Sequence, residues 1–261
     1  MGKILGIISV FMWVNSIFAM DAREIMVNND YAGKVLGWQA QSKMVLIDKK
    51  GGERIRVGKV INKLQKNSVD YKRLYRFYSP QDIRGTGILT IEHSESDHDM
   101  WIYLPALKKT RRIISRNTRD SFMNSDFSYG DIASPKIDDF IHILKGEEKI
   151  KGIDCFIVES TSKDDRIKRD TGYSKKVLWI RKDNFVEMKI EYYDEENELL
   201  KTQFISDLYL SDLGKKRWLA TKREIINHKT GHRTIITFEN IEIDKGIRDD
   251  VFTTGYLERI E

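Results

Sequence analysis

The residues best suited to chemistry are scattered along this chain. There are five histidines, His93, His98, His142, His228 and His232, and one cysteine, Cys155. The run from Ser94 to Asp99 sets carboxylates beside His98, a donor set for a hard metal. Those donors are contiguous and mobile, so no metal is expected. His228 and His232 flank a turn and read as solvent-exposed. Cys155 lies in the strand-like run from Gly152 to Val158 with no histidine motif near it, and reads as a buried structural thiol. A lone cysteine also rules out an intramolecular disulfide. The chain has no H-E-x-x-H, no G-x-S-x-G, no Walker loop and no G-x-G-x-x-G after a strand. The loop from Gln81 to Gly87 holds two glycines, but no helix follows to make it a phosphate cradle. Neither catalysis nor a cofactor is expected.

Binding is the remaining chemistry, and the stretch from Met100 to Asp131 is where it is densest. Trp101-Ile-Tyr-Leu-Pro105 is an apolar block closed by one of three prolines. Lys108, Lys109, Arg111 and Arg112 make a short basic strand, and Ser121–Asp131 is an irregular run carrying Phe122, Met123, Phe127 and Tyr129. An apolar block, a positive edge and an apolar-studded loop suit a surface that handles a greasy molecule with an anionic head. They suit an ordinary sheet and its covering loop equally well. Basic side chains on a sheet edge also deter edge pairing, and near an anionic membrane each contributes about 1 kcal/mol.

Composition sets the bounds. The chain has 261 residues, 40% hydrophobic and 33% charged, with a net charge of +5. That is globular, and too mildly basic to call for nucleic acid. Lys3 precedes the apolar run Ile4–Val14, and a small residue, Ala19, follows at a plausible cut. Residues 1–19 are therefore expected to be a cleaved secretory signal, with a retained anchor as the alternative. The run is short for a transmembrane helix. No cysteine follows the cut, so lipid attachment there is not expected.

The elements that must position any site are mostly strands. Asp21–Leu36 is expected to be a helix capped by Asp21, with Glu24 three residues on and Gly37 ending it. Beyond about residue 40 the period changes. Lys43–Asp48 and Glu53–Val60 flank Lys49-Lys-Gly-Gly52, a hairpin signature. Further strands are expected at Lys72–Tyr78, Ile88–His93, Met100–Leu104, Lys108–Ser115, Phe140–Leu144, Cys155–Ser160, Lys176–Arg181, Phe185–Asp194, Leu199–Leu210, Arg217–Asn227 and Arg233–Ile243. Ser162–Thr171 is dense in charge and reads as a solvated loop. In Phe185–Asp194, Val186, Met188, Ile190 and Tyr192 alternate with Glu187, Lys189 and Glu191, so one face is apolar. Residues 20–261 are expected to form a single, mostly β domain. Its antiparallel sheet of about ten strands would curl into a half-barrel, covered by the N-terminal helix and the Phe122–Tyr129 loop.

Several landmarks together carry a resemblance. They are Trp-x-Tyr-Leu-Pro-Ala-Leu at 101–107, Arg-Arg-Ile at 111–113 and Ser-Phe-Met-x-Ser-Asp-Phe-Ser-Tyr at 121–129. Phe77–Thr86, Gly172-Tyr-Ser174, Trp179, Tyr192-Tyr-Asp194, Thr230–Thr234 and Val251–Thr254 add to them, as does the opening Ala22–Met26. The mature chain resembles the outer membrane lipoprotein-sorting proteins, the LolA-like periplasmic proteins often linked with RND-type exporters. Two positions depart from that pattern. Asn124 stands where glycine is expected, and asparagine tolerates a left-handed backbone better than most. Gly130 stands where an acidic residue is expected, which weakens any fixed role for that carboxylate.

The resemblance implies a periplasmic carrier or chaperone, and not an enzyme. It would shield acyl chains of lipids or lipoproteins in its half-barrel and pass them toward the outer membrane. Alternation assigns the lining to Met44, Leu46, Leu89, Ile91, Trp101, Tyr103, Trp179, Met188, Ile190, Phe204 and Phe238, with Phe122, Met123 and Phe127 as cover. A slip of one residue would turn a whole strand inside out, and core packing is the alternative role for each residue. The chain is expected to be monomeric, with peripheral membrane contact through its basic side chains. The alternative is an adaptor without small cargo, docked on an RND-type inner-membrane exporter through Lys108, Lys109, Arg111 and Arg112.

Overall fold

The computed structural model describes residues 20–259 apart from 135 and 213; the expected signal segment, residues 1–19, lies outside the described residues. One antiparallel sheet of 13 strands dominates. The first six are β1 (Gly37–Ile47), β2 (Glu53–Leu64), β3 (Tyr71–Ser79), β4 (Gly87–Ile91), β5 (Asp99–Leu104) and β6 (Lys109–Ile113). The remainder are β7 (Phe140–Ile150), β8 (Ile153–Ser162), β9 (Lys175–Arg181), β10 (Glu187–Tyr193), β11 (Leu199–Asp212), β12 (Arg217–Asn227) and β13 (Arg233–Ile243). The spatial order runs β6 to β1, then β13 down to β7. Each half is a meander of neighbours, and the pairing of β1 with β13 joins them at the centre.

This topology has a direct consequence. The two edges, β6 and β7, are consecutive in sequence yet lie at opposite ends of the sheet. Residues 114–139 must therefore travel from edge to edge. They cross the concave face, where Phe122 and Phe127 join one core cluster with Trp38, Met44, Tyr75, Phe77 and Ile236. The sheet is the expected mostly β, LolA-like half-barrel; each of its 13 strands overlaps one of the runs expected from the sequence, and all of them join one sheet rather than about ten.

Helix α1 (Ala22–Ala32) closes the other half of the mouth. Asp21 caps it, its Oδ1 accepting from Glu24 N at 2.7 Å. Gly33 ends it, one turn before the expected stop, because Gly37 is already the first residue of β1. Ala22, Ile25 and Met26 face a second cluster that includes Val158, Leu178, Ile190 and Tyr192. Tyr31, on the same helix, is 51% exposed.

The charged run after β8 is not a loop. It folds as helix α3 (Asp165–Thr171), following the short α2 (Tyr129–Ile132). The Asp164 side chain accepts from Ile167 N at 2.8 Å, and Gly172 at φ 77° makes a left-handed stop. Its single buried residue, Ile167, left no periodic apolar signal.

The C-terminal tail covers the convex face. Phe252 and Leu257, the latter on α4 (Thr254–Leu257), pack on Ile61, Leu74, Leu89 and Tyr103. Strands β2 to β5 are thus buried on both faces.

Candidate ligand cavity

A cavity of about 280 Å³ lies between the concave face, α1 and the crossing segment. Its apolar wall includes Trp38, Tyr75, Ile88, Phe127, Ile190 and Phe238. Trp38 and Phe238 meet edge to face, ring centres 5.4 Å apart, across the central β1–β13 pair.

The expected lining residues divide by face. Ile190 and Phe238 line the cavity, and so do the covering residues Phe122 and Phe127. Met44 is fully buried on the same face, and Leu46 and Met123 pack against that cluster. The rest point elsewhere. Leu89, Ile91, Trp101 and Tyr103 pack under the tail on the convex side, while Ile88 and Thr90 take their place in the cavity. Alternation could not separate the faces here, since both are covered and both are apolar. Trp179 donates from Nε1 to Glu148 at 2.6 Å and lies under Lys189; its neighbour Leu178 lines the cavity. Phe204 is 40% exposed, and Gln203 faces inward instead. Met188 is displaced by a bulge in the β9–β10 pairing, and its Sδ lies 3.8 Å from Cys155 Sγ. That bulge also breaks the expected alternation, so Val186 and Glu187 both reach the cavity.

Lys108, Lys109, Arg111 and Arg112 are exposed at the edge of the sheet, with Arg112 paired to Asp99. Cys155 is buried, and burial pushes its thiol up from the ordinary range. Among the described residues no three His, Cys, Asp or Glu side chains gather in a metal-holding arrangement.

Buried ion pairs, absent from the sequence reading, fasten the crossing segment. Glu92, 1% exposed, accepts from Arg73 Nε at 2.8 Å, Tyr71 N at 2.9 Å and Ser134 N at 2.8 Å. Arg73 also donates to Ser134 Oγ at 2.9 Å, so sheet and segment share one network. Burial alone would raise the Glu92 carboxyl, but Arg73 and the hydrogen bonds outweigh it and hold the group down to about 2. On the other side Lys201 Nζ meets Asp131 Oδ2 at 2.6 Å, both side chains buried, and donates to Asp126 O at 2.8 Å. Tyr173 OH donates to Asp131 at 3.1 Å. Asp131 also completes a capping box with Ser128 at the start of α2. Burial raises its carboxyl and the cations Lys201 and Lys176 lower it, with a net downward result.

Two sequence departures find explanations. Met123 and Asn124 are both left-handed, at φ 52° and 55°, so Asn124 keeps the loop's turn. Gly130 carries no charge, but Asp131 one residue on supplies the buried carboxylate.

A family model described as an uncharacterized protein matches residues 69–259, well over half of the chain. A DUF1329 family protein from Desulfovibrio piger ATCC 29098 is 32% identical, with TM-score 0.83 over 90% of this chain and 97% of that one. The chain belongs to the DUF1329 family. This DUF1329 member is also similar to a candidate outer membrane lipoprotein-sorting protein domain from Vibrio parahaemolyticus, 29% identical, TM-score 0.83, covering 91% and 98% of the two chains. It shares its fold with a LolA superfamily protein from Nitrosomonas europaea, 23% identical, TM-score 0.68, covering 91% and 100%. No curated protein matches the chain.

Proposed function

We propose that this DUF1329 protein is a periplasmic carrier. It would shield an acyl chain of a lipid or lipoprotein in the half-barrel for transfer toward the outer membrane, after export through residues 1–19. The observation that carries the reading is the covered apolar cavity of about 280 Å³. If about ten methylenes are buried at about 0.8 kcal/mol each, they contribute about 8 kcal/mol, on the scale of micromolar binding. The similar Vibrio parahaemolyticus domain, described as lipoprotein-sorting, supports the same reading. Of the carboxylates at or beside the cavity, burial raises Asp30 despite its Lys34 partner, while two others are poorly suited to proton transfer. Glu92 and Asp131 are held ionised by cations and backbone donors, whereas a general acid or base works best near neutral pKa. Basic side chains exposed along β6 support a peripheral role at an anionic membrane or on an RND-type exporter, tested by charge reversal at Lys109 and Arg111.

The test is native mass spectrometry with lipid extraction on protein purified from the periplasm, followed by uptake of a fluorescent acyl probe. One acyl ligand per chain is expected. Ile190→Glu should abolish uptake, and Phe204→Glu, on the outside, should leave it intact. A bare mass together with no probe uptake would overturn the carrier reading.

A further inference from the structure

Two sets of polar groups at the cavity differ in what they have left to give. Glu92, Arg73, Asp131 and Lys201 are spent on fastening the crossing segment. The second set has hydrogen-bonding capacity left over. Gln203, 2% exposed, accepts from Tyr192 OH at 2.9 Å through Oε1, while its Nε2 has no acceptor. Asn62, fully buried, accepts from Arg73 through Oδ1, and its Nδ2 has none. Trp218 Nε1 is likewise unpartnered. All three residues line the cavity, and all three orphan atoms are donors. A buried donor without an acceptor costs free energy, so whatever meets this wall must bring acceptor oxygens. Water can do so; an alkyl chain cannot.

Lys176 sharpens the point. It lines the same cavity, and among the described residues its Nζ has no hydrogen-bond acceptor and no carboxylate within 4 Å. Three aromatic rings stand around it, with Phe140, Tyr173 and Tyr192 ring centres at 5.2, 5.1 and 5.3 Å. Asp131 is already bonded to Lys201, so this corner holds two ammonium groups and one carboxylate. Burial lowers the Lys176 ammonium, with Asp131 opposing and Lys201 assisting, as expected of a cation short of a counterion.

Lys176 and Gln203 occupy one locus. In the ladder Lys176 faces Tyr192 on β10, and Gln203 faces Ile190, two residues along the same strand. Tyr192 joins them, its ring beneath Lys176 and its hydroxyl on Gln203. We propose that Lys176 and Gln203 form a head-group subsite for a single-chain amphiphile with an ionised oxygen head, a carboxylate or a phosphate monoester. The head would lie against Lys176 Nζ and Gln203 Nε2, and the tail would run past Ile190 toward Trp38 and Phe238. One chain matches a volume at the lower end of ligand sites, which span about 300–1,000 Å³. The inference rests on the carrier reading and adds the chemistry and orientation of the cargo.

The test titrates the full mature chain at pH 7.5 with hexadecanoate, hexadecyl phosphate and methyl hexadecanoate. The wild type should prefer the ionised heads to the ester by about tenfold or more, the worth of a charge-assisted hydrogen bond. Lys176→Met and Gln203→Leu should each remove most of that preference and leave ester affinity unchanged, and Lys176→Arg should restore it. Should Lys176→Met fail to fold, Gln203→Leu makes the same comparison. Equal affinity of the wild type for all three would overturn the subsite and leave the carrier standing. No binding of any of them would bring down the carrier reading and the subsite with it. Inorganic phosphate displacing hexadecyl phosphate at similar concentration would mark a free-anion site and overturn the proposal.

Discussion

Replacing Glu92 with glutamine should detach the crossing segment from β3 at a cost that can be worked from the structure. The carboxylate is 1% exposed and accepts from Arg73, Tyr71 and Ser134. Its pKa falls from 4.5 to about 2, which corresponds to about 3 kcal/mol. A folded pKa below the unfolded one gives stability that is complete well above pH 4.5 and is lost as pH falls toward 2. Glutamine removes the charge and turns a donor toward donors already present, leaving Arg73 without its counterion. The expected loss at pH 7 is about 3–4 kcal/mol, in line with breaking half of a buried ion pair. Urea unfolding followed by tryptophan fluorescence reads it, with the slope checking that the denatured state is unchanged. Glu92 protonates in the wild type alone, so the gap between the proteins should narrow by about 2 kcal/mol between pH 7 and pH 3. A gap below about 1 kcal/mol at pH 7, or one that stays constant to pH 3, would refute the reasoning.

Two further perturbations probe the frame. Asp131→Asn leaves Lys201 buried without its counterion and should cost about 3–5 kcal/mol, seen as faster amide exchange at residues 128–132; unchanged protection would place the fastening elsewhere. Gly58→Ala sets a Cβ 2.4 Å from Arg76 O, a backbone atom of the paired strand β3, and should lower stability by about 2 kcal/mol, or about 4–8 °C in Tm. An unshifted Tm would show that β2 and β3 separate more easily than the ladder implies.

Local physics was readable along the chain. The cap at Asp21, the Asp48–Gly52 hairpin turn and the tolerance of Asn124 for a left-handed backbone each depend on a few adjacent residues, and each was marked by residue type. Strand period likewise predicted the sheet, because backbone pleating alternates side chains whatever lies above them. The face each strand shows to the cavity was a different matter. It could be assigned for Ile190 and Phe238, but not for Leu89, Ile91, Trp101 or Tyr103, where the C-terminal tail makes the convex side as apolar as the concave one. A pattern of period two carries no label for which side is inside when both are covered. The ion pairs were hidden for a related reason. Glu92 finds Arg73 across 19 positions and Asp131 finds Lys201 across 70, in a chain where one residue in three is charged. No local signal distinguishes a carboxylate destined for burial from one that will face water. That choice is made when β1 pairs with β13, sends the two edges apart, and so forces residues 114–139 across the concave face.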